Sequence, residues 1–195
     1  MRLVLASGNR GKLEELSGLL GPFGFDLVSQ GELGITPGPE TACTFVENAL
    51  EKARFASSQA GLPAIADDSG LVVNALAGAP GILSARYAGA NASAQANNTK
   101  LLADLVGVSD RRAHFYCALV LLQHPEDPAP LLAIGSWSGE ILESPRGTEG
   151  FGYDPLFFIP ERGCSAAELE PQEKNRLSHR GQAVRALCAQ LATTS

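Results

Sequence analysis

The sequence predicts an α/β protein: an elongated central mixed β-sheet flanked by helices, arranged as two lobes with a cleft between them. Three observations carry this. Short apolar runs of strand length alternate with segments whose apolar residues recur at helical spacing. Two long strand-like segments, 113–123 and 131–142, are joined by His124-Pro125-Glu126-Asp127-Pro128, a hairpin signal with prolines in the connection. The length of 195 residues, with 45% hydrophobic and 18% charged residues, suits one sizeable domain, or one core split into two lobes. No internal repeat, linker or low-complexity tract interrupts the chain.

Arg2 to Ala6 reads as a short buried strand running into Ser7-Gly8-Asn9-Arg10-Gly11-Lys12. Leu13, Leu16, Leu19 and Leu20 then recur at helical spacing until Gly21-Pro22 and Gly24 close the helix. Residues 25–29 form a second strand, so the first thirty residues make a strand–loop–helix–strand unit. After a Gly/Pro-rich loop at 34–40, residues 44–60 read as a helix with the apolar stripe Phe45, Ala49, Ala53 and Ala56. A strand at 64–66 meets Asp67-Asp68-Ser69-Gly70, and 71–73 continues extended. A helix is expected over 93–106, then the two long strands, a Gly-rich stretch at 147–154, an apolar run at 155–159, and a last helix over about 179–192.

The net charge of −6 argues against a general nucleic-acid binder, which would show a basic face, but leaves room for a local phosphate site. The opening apolar run is too short for a signal-peptide core, and nothing approaches the roughly 18 apolar residues of a membrane span. Cys43, Cys117, Cys164 and Cys188 are widely spaced without a Cys-x-x-Cys pair, which favours free thiols in a reducing cytoplasm.

Four segments carry candidate chemistry. The loop 7–12 lies between a strand and a helix start, where backbone N–H groups and the helix dipole favour an anion. Gly8 and Gly11 permit close approach, and Arg10 and Lys12 add charge. It is not a P-loop, since Ala6 and Leu13 stand where glycine and Ser/Thr would be required. A tight turn with solvated basic residues explains the same stretch equally well. At 66–70, two adjacent carboxylates beyond an apolar strand are costly unless they bind a cation or donors. Strand alternation would send one toward a ligand and the other behind it. An Asp-rich turn is the plainer alternative. Glu40 and Glu47 are further acids, but Glu47 at a helix start is explained by the dipole alone. Gly150-Phe151-Gly152-Tyr153-Asp154 offers two aromatics suited to a planar base and an acid to accept from a ring N–H, although the aromatics could instead belong to the core. Lys174, Ser178, His179 and Arg180 crowd donors near the start of the last helix, with Ser178 a good N-cap.

Together these stretches resemble the inosine triphosphate pyrophosphatase family, the non-standard purine nucleotide pyrophosphatases of bacteria. The matching segments are SGNRGK at 7–12, ETACTFVENALEKA at 40–53, AIADDSGLVVNALAGAPGILSARYAG at 64–89, GTEGFGYDPLFFIP at 147–160 and EKNRLSHRGQAVRAL at 173–187. They appear in family order and span nearly the whole chain. The resemblance implies a single catalytic domain over 1–195, a homodimer, Mg²⁺, and hydrolysis of ITP, dITP and XTP to monophosphate and pyrophosphate, which cleanses the nucleotide pool. It implies that Ser7, Gly8, Asn9, Arg10, Gly11 and Lys12 bind the triphosphate, Arg10 through its backbone, with Lys52 a second phosphate contact. Asp68 is similar to the family's catalytic carboxylate and metal ligand, Glu40 to a second metal contact and Ser69 to a substrate contact. Phe151, Gly152, Tyr153, Asp154, Lys174, His179 and Arg180 correspond to the nucleoside and base pocket, and Arg86 to an extra phosphate contact.

On this reading Asp68 orients and deprotonates the attacking water. Arg180 donates to a 6-keto oxygen and Asp154 accepts from N1–H, an edge that adenine reverses. Three other readings compete with it: a septum-inhibitor-type pyrophosphatase acting on modified pyrimidines, disfavoured by SHR and FGYD; a non-catalytic nucleotide sensor, disfavoured by the presence of Asp68; and a P-loop kinase or GTPase, which fails at positions 6 and 13.

Overall fold

The computed structural model describes residues 2–38 and 40–194; within that span the side chains of Arg10 and Thr194 lie outside the description. Among the described residues seven strands form one mixed sheet in the order β2-β1-β3-β4-β5-β6-β7. They are β1 (Arg2–Leu5), β2 (Asp26–Ser29), β3 (Ala64–Val73), β4 (Arg112–Leu122), β5 (Leu131–Ile141), β6 (Phe157–Ile159) and β7 (Cys164–Ser165). The helices are α1 (Arg10–Leu20), α2 (Phe45–Ala60), α3 (Ala94–Asp104), α4 (Pro171–Leu177) and α5 (His179–Thr194). This is the expected α/β architecture, mixed because β1 pairs in parallel with β2 and β3 whereas β6 pairs antiparallel with β5 and β7.

The chain forms two compact units, one of residues 1–68, 117–135 and 179–195, the other of 69–116 and 136–178. The first unit has its own core: Leu3 and Leu5 of β1, Ile65 of β3 and Leu119 and Leu121 of β4 pack with Leu16 and Leu20 of α1 and Ala183, Val184 and Leu187 of α5. In the second, Phe157 meets Phe115 with ring centroids 4.5 Å apart and Trp137 at 5.2 Å, alongside buried Leu71, Val73, Leu101 and Leu156. Such aromatic clusters bury large apolar areas and add about 0.5–1.5 kcal/mol per pair beyond burial.

Two departures from the sequence reading matter for function. The acids 67 and 68 do not stand in a turn between strands but in the middle of β3, which runs unbroken for 10 residues. Their charges are compensated by side chains, so the backbone ladder need not break. The first loop is shorter than expected: α1 begins at Arg10, so Gly11 and Lys12 belong to its first turn.

Local caps explain the helix ends. Asn9 caps α1, its Oδ1 accepting the Lys12 N–H at 3.2 Å. Thr44 caps α2, its Oγ1 accepting the Glu47 N–H at 3.2 Å and donating to Glu47 Oε2 at 2.6 Å, so the Glu47 carboxylate is engaged at the helix start. Gly61 closes α2 in the left-handed region at φ 64°.

Gly135 of β5 is required by close approach: a Cβ there would overlap the His179 carbonyl at the start of α5 and lie 2.8 Å from the Ala183 backbone nitrogen. Neither backbone atom can yield as a side-chain tip would. Gly135→Ala is expected to destabilise the protein by about 3 kcal/mol, lowering the melting temperature by roughly 2–4 °C per kcal/mol in a chain of this size. A calorimetric melt indistinguishable from the parent would contradict this packing.

Candidate active site

In the first unit, side chains from β1–α1, α2, β3 and α5 converge on the two adjacent acids. Asp67, whose side chain is fully buried, accepts from Lys12 Nζ at 3.1 Å and from Arg180 Nε at 3.4 Å. Arg180 also lies 2.7 Å from Glu15 Oε2 through Nη1. Asp68 pairs with Lys52 Nζ at 2.8 Å through Oδ1 and receives Asn48 Nδ2 at 3.4 Å on Oδ2. The same Lys52 ammonium reaches Glu40 Oε1 at 3.0 Å. One lysine therefore bridges two carboxylates from separate segments.

Helical spacing places Asn48 and Lys52 one turn apart on α2, and the neighbouring Ala49, Ala53 and Ala56 bury the helix, bringing that face to β3. Strand alternation divides the two acids: Asp67 goes to Lys12 and Arg180, Asp68 to Lys52 and Asn48.

The electrostatics follow. Burial pushes the Asp68 carboxyl above the usual range, although Lys52, and more weakly Lys12, pull the other way. Burial alone would depress Lys52, but Asp67, Asp68 and Glu40 outweigh it and hold the ammonium above its ordinary value. Arg180 is likewise held up by Asp67 and Glu15 against its own burial. Cys117, buried near this cluster, is pushed up to about 12 by desolvation and by Asp67, and is an inert thiol.

The loop before α1 is tied by its own side chains. Ser7 Oγ accepts the Asn9 N–H at 3.2 Å while Asn9 caps the helix, so Gly8 lies in a loop whose backbone conformation is fixed from both sides. The donor chemistry around β3 fits a small hard cation. Glu40 and Asp68 both reach one ammonium, and Mg²⁺ typically takes only one or two carboxylates, completing its shell with waters and phosphate oxygens. Among the described residues no group of three or more His, Cys, Asp or Glu side chains gathers as a metal site.

In the second unit, the 150–154 loop closes on itself. Asp154 Oδ2 accepts the Phe151 N–H at 2.7 Å and Lys174 Nζ at 2.8 Å, and Lys174 also stands 5.0 Å from the Phe151 ring centroid. Gly150, at φ 75°, has no room for a side chain because a Cβ would meet the Asp154 carboxylate. Asn98 of α3 donates to the Gly152 carbonyl at 3.0 Å. The expectation that both aromatics flank a base needs correction. Tyr153 is 5% exposed, belongs to the core and donates its hydroxyl to the Ser84 carbonyl at 2.9 Å. That leaves Phe151, half-buried, as the aromatic face of the loop.

His179 and Arg180 open α5, both buried, Arg180 with Glu15 and Asp67 as partners. Ser178 closes α4, its N–H donating to the Lys174 carbonyl at 2.8 Å. Ser69 follows Asp68 on β3, and Arg86 ends a 3-10 segment at Gly81–Arg86. Sequence reasoning missed Glu15, Asn48 and Asn98. Only Asn48 left a trace, as a polar residue one turn before Lys52 beside the apolar stripe of α2.

A capped loop–helix junction beside lysines paired with adjacent acids, on an α/β sheet, has the donor chemistry expected of a polyphosphate-binding class of protein. A family model described as the Ham1 family matches residues 3–190. The chain belongs to the Ham1 family. It is 54% identical to a dITP/XTP pyrophosphatase of Vibrio parahaemolyticus, over 98% of this chain and 96% of the relative. It is 58% identical to the protein of that name from Pectobacterium atrosepticum, over 95% of each chain. Among solved structures, a HAM1 protein from Coxiella burnetii superposes with a TM-score of 0.92 at 49% identity, covering 99% of both chains. The Staphylococcus aureus Ham1 protein does so at 0.88 and 38%, covering 100% of both.

Proposed function

We propose that the chain hydrolyses non-standard purine nucleoside triphosphates, such as dITP, XTP and ITP, to the monophosphate and pyrophosphate, and so removes them before misincorporation. The observation that carries this is the bridging of Glu40 and Asp68 by Lys52, in the same unit as the capped loop 6–9 and Lys12. The substrate class comes from the relatives, which bear the name dITP/XTP pyrophosphatase at 54–58% identity.

In this reading water attacks the α-phosphorus, the α–β bond breaks and pyrophosphate leaves. Lys12, Lys52 and the loop of Ser7, Gly8, Asn9, Arg10 (through its backbone) and Gly11 hold the phosphate oxygens and stabilise the charge that develops on the leaving group. Asp68 orients the water and takes its proton. Glu40 and Asp68 would hold Mg²⁺, which when bound supplies a positive charge that lowers the demand on a carboxylate base. Ser69 is a substrate contact. Phe151, Gly152, Tyr153 through its backbone, Asp154 and Lys174 take the base, with His179 and Arg180 assigned to the same ligand. Asp154, paired with Lys174 at 2.8 Å, would accept from the N1–H of a keto purine, a donor that adenine lacks.

The whole chain acts as one catalytic domain, in a homodimer and in the cytoplasm. No helix among the described residues is long and apolar enough to cross a membrane.

A panel of ITP, dITP, XTP, ATP, GTP and a methylated UTP, assayed for pyrophosphate and orthophosphate with Mg²⁺, tests the proposal. The keto purines ITP, dITP and XTP are expected to exceed ATP in kcat/KM by on the order of 10²–10⁴, with pyrophosphate the product. Orthophosphate release, or a preference for the methylated pyrimidine, would replace this reading with another.

A further inference from the structure

We propose that Asn48 is a positioning residue for the acid pair: its side-chain amide fixes the Asp68 carboxylate and the Glu40-bearing loop relative to each other. This rests on the reading of Asp68 and Glu40 as the acids used in turnover.

Asn48 is 1% exposed. Its Nδ2 donates to Asp68 Oδ2 at 3.4 Å, and its Oδ1 accepts the N–H of Ala42, two residues beyond Glu40, at 3.1 Å. An amide donates at one end and accepts at the other. The carboxylate can be met only by the nitrogen and the backbone N–H only by the oxygen, so the two contacts together permit a single orientation. One turn further on, Lys52 spans the same two acids. The division of labour follows from the groups themselves. A lysine ammonium is a mobile point charge with rotatable donors, so it neutralises the acids without fixing their rotation. A short, planar, buried amide fixes rotation without adding charge. The loop has another tie, Thr41 to Glu51 at 3.3 Å through its N–H, but that one is exposed and does not touch Asp68.

A residue that only tied down the loop would affect stability, or the KM for nucleotide. One that sets the spacing of the acids affects turnover and the affinity of the pair for a divalent ion. Asn48→Ala and Asn48→Leu remove both hydrogen bonds, and the leucine refills the volume, so lost packing is separated from lost polarity. Each is compared with the parent and with Asp68→Asn at a temperature where circular dichroism shows it folded. The measurements are kcat and KM for ITP at saturating Mg²⁺, and the affinity for Mn²⁺ alone, followed by electron paramagnetic resonance on nucleotide-free protein. The expected result is a fall of about 10–100-fold in kcat and of about tenfold or more in Mn²⁺ affinity, as for groups that support ligating carboxylates. KM should stay within about threefold, since ground-state nucleotide contacts are untouched. The proposal is overturned if kcat and Mn²⁺ affinity both stay within about twofold of the parent while Asp68→Asn is inactive, or if only KM changes. Activity in Asp68→Asn would instead remove the reading on which the proposal stands, and that result is independent of position 48.

Discussion

Replacing Asp68 with asparagine is expected to lower kcat for ITP by on the order of 10²–10⁴-fold, the usual contribution of a positioned proton acceptor, while the protein still folds and binds nucleotide. Asparagine keeps the shape of the side chain and can still accept from Lys52, which now stands 2.8 Å from Asp68. What it cannot do is accept a proton from water or offer a full negative charge beside Glu40. Lys52 loses one of the three carboxylates that hold it protonated but keeps Glu40 and Asp67 nearby, so the cluster should not collapse. Two measurements decide the matter: steady-state turnover by pyrophosphate release, and calorimetric binding of ITP to the variant. Turnover within tenfold of the parent would remove Asp68 from the chemistry, and loss of binding together with turnover would make it a structural or binding group.

Asp67 is expected to behave in the opposite way. Its carboxylate is fully buried between Lys12 and Arg180, and Arg180 is itself 5% exposed. Asp67→Ala strands part of that buried positive charge, leaving Glu15 to face Arg180 alone across the pair at 2.7 Å. Breaking a buried pair from one side costs about 3–5 kcal/mol, because the surviving charge stays desolvated. The denaturant midpoint should therefore fall sharply in Asp67→Ala and little in Asp68→Asn. If the two variants unfolded at the same denaturant concentration, the division between a bracing acid and a reacting acid would be wrong. Neighbouring residues of identical chemistry thus make separable predictions, because a strand sends them to different partners.

Much of this was legible in the chain. The β1–α1–β2 unit, the α2 stripe and the long β4 and β5 segments all carry clear periodicity, and their observed bounds fall within one or two residues of those read from the pattern, except at the start of α1, which takes in Arg10, Gly11 and Lys12. Lys12, Lys52, Glu40 and Asp68, singled out from separate segments, lie in one cluster. Other features were hidden for physical reasons. Helix α4 has the sequence PQEKNRL, with one apolar residue and hence no period to detect. Asp67 and Asp68 read as lying just beyond a strand, with a turn as the alternative, because two charges in the middle of a strand are tolerable only with compensating cations. Those cations come from α1, α2 and α5, and sequence spacing does not reveal them. Glu15 was unreadable for the same reason: its partner, Arg180, is 165 positions away. Tyr153 could serve a ligand or the core, and only the Ser84 carbonyl decides between them.

The pairing of acids and bases around β3 also bears on how fast a substrate can arrive. Lys12, Lys52 and Arg180 face Glu15, Glu40, Asp67 and Asp68, so the cluster is formally slightly negative, on a chain whose net charge is −6. A polyanion diffusing in from beyond the Debye length of about 8 Å at physiological salt meets no attractive funnel. Encounter therefore runs without attractive steering, and the association rate should rise modestly with ionic strength as salt screens the like charges. Discrimination is left to contacts made after arrival, which suits an enzyme that must pass over an abundant normal pool to find rare substrates.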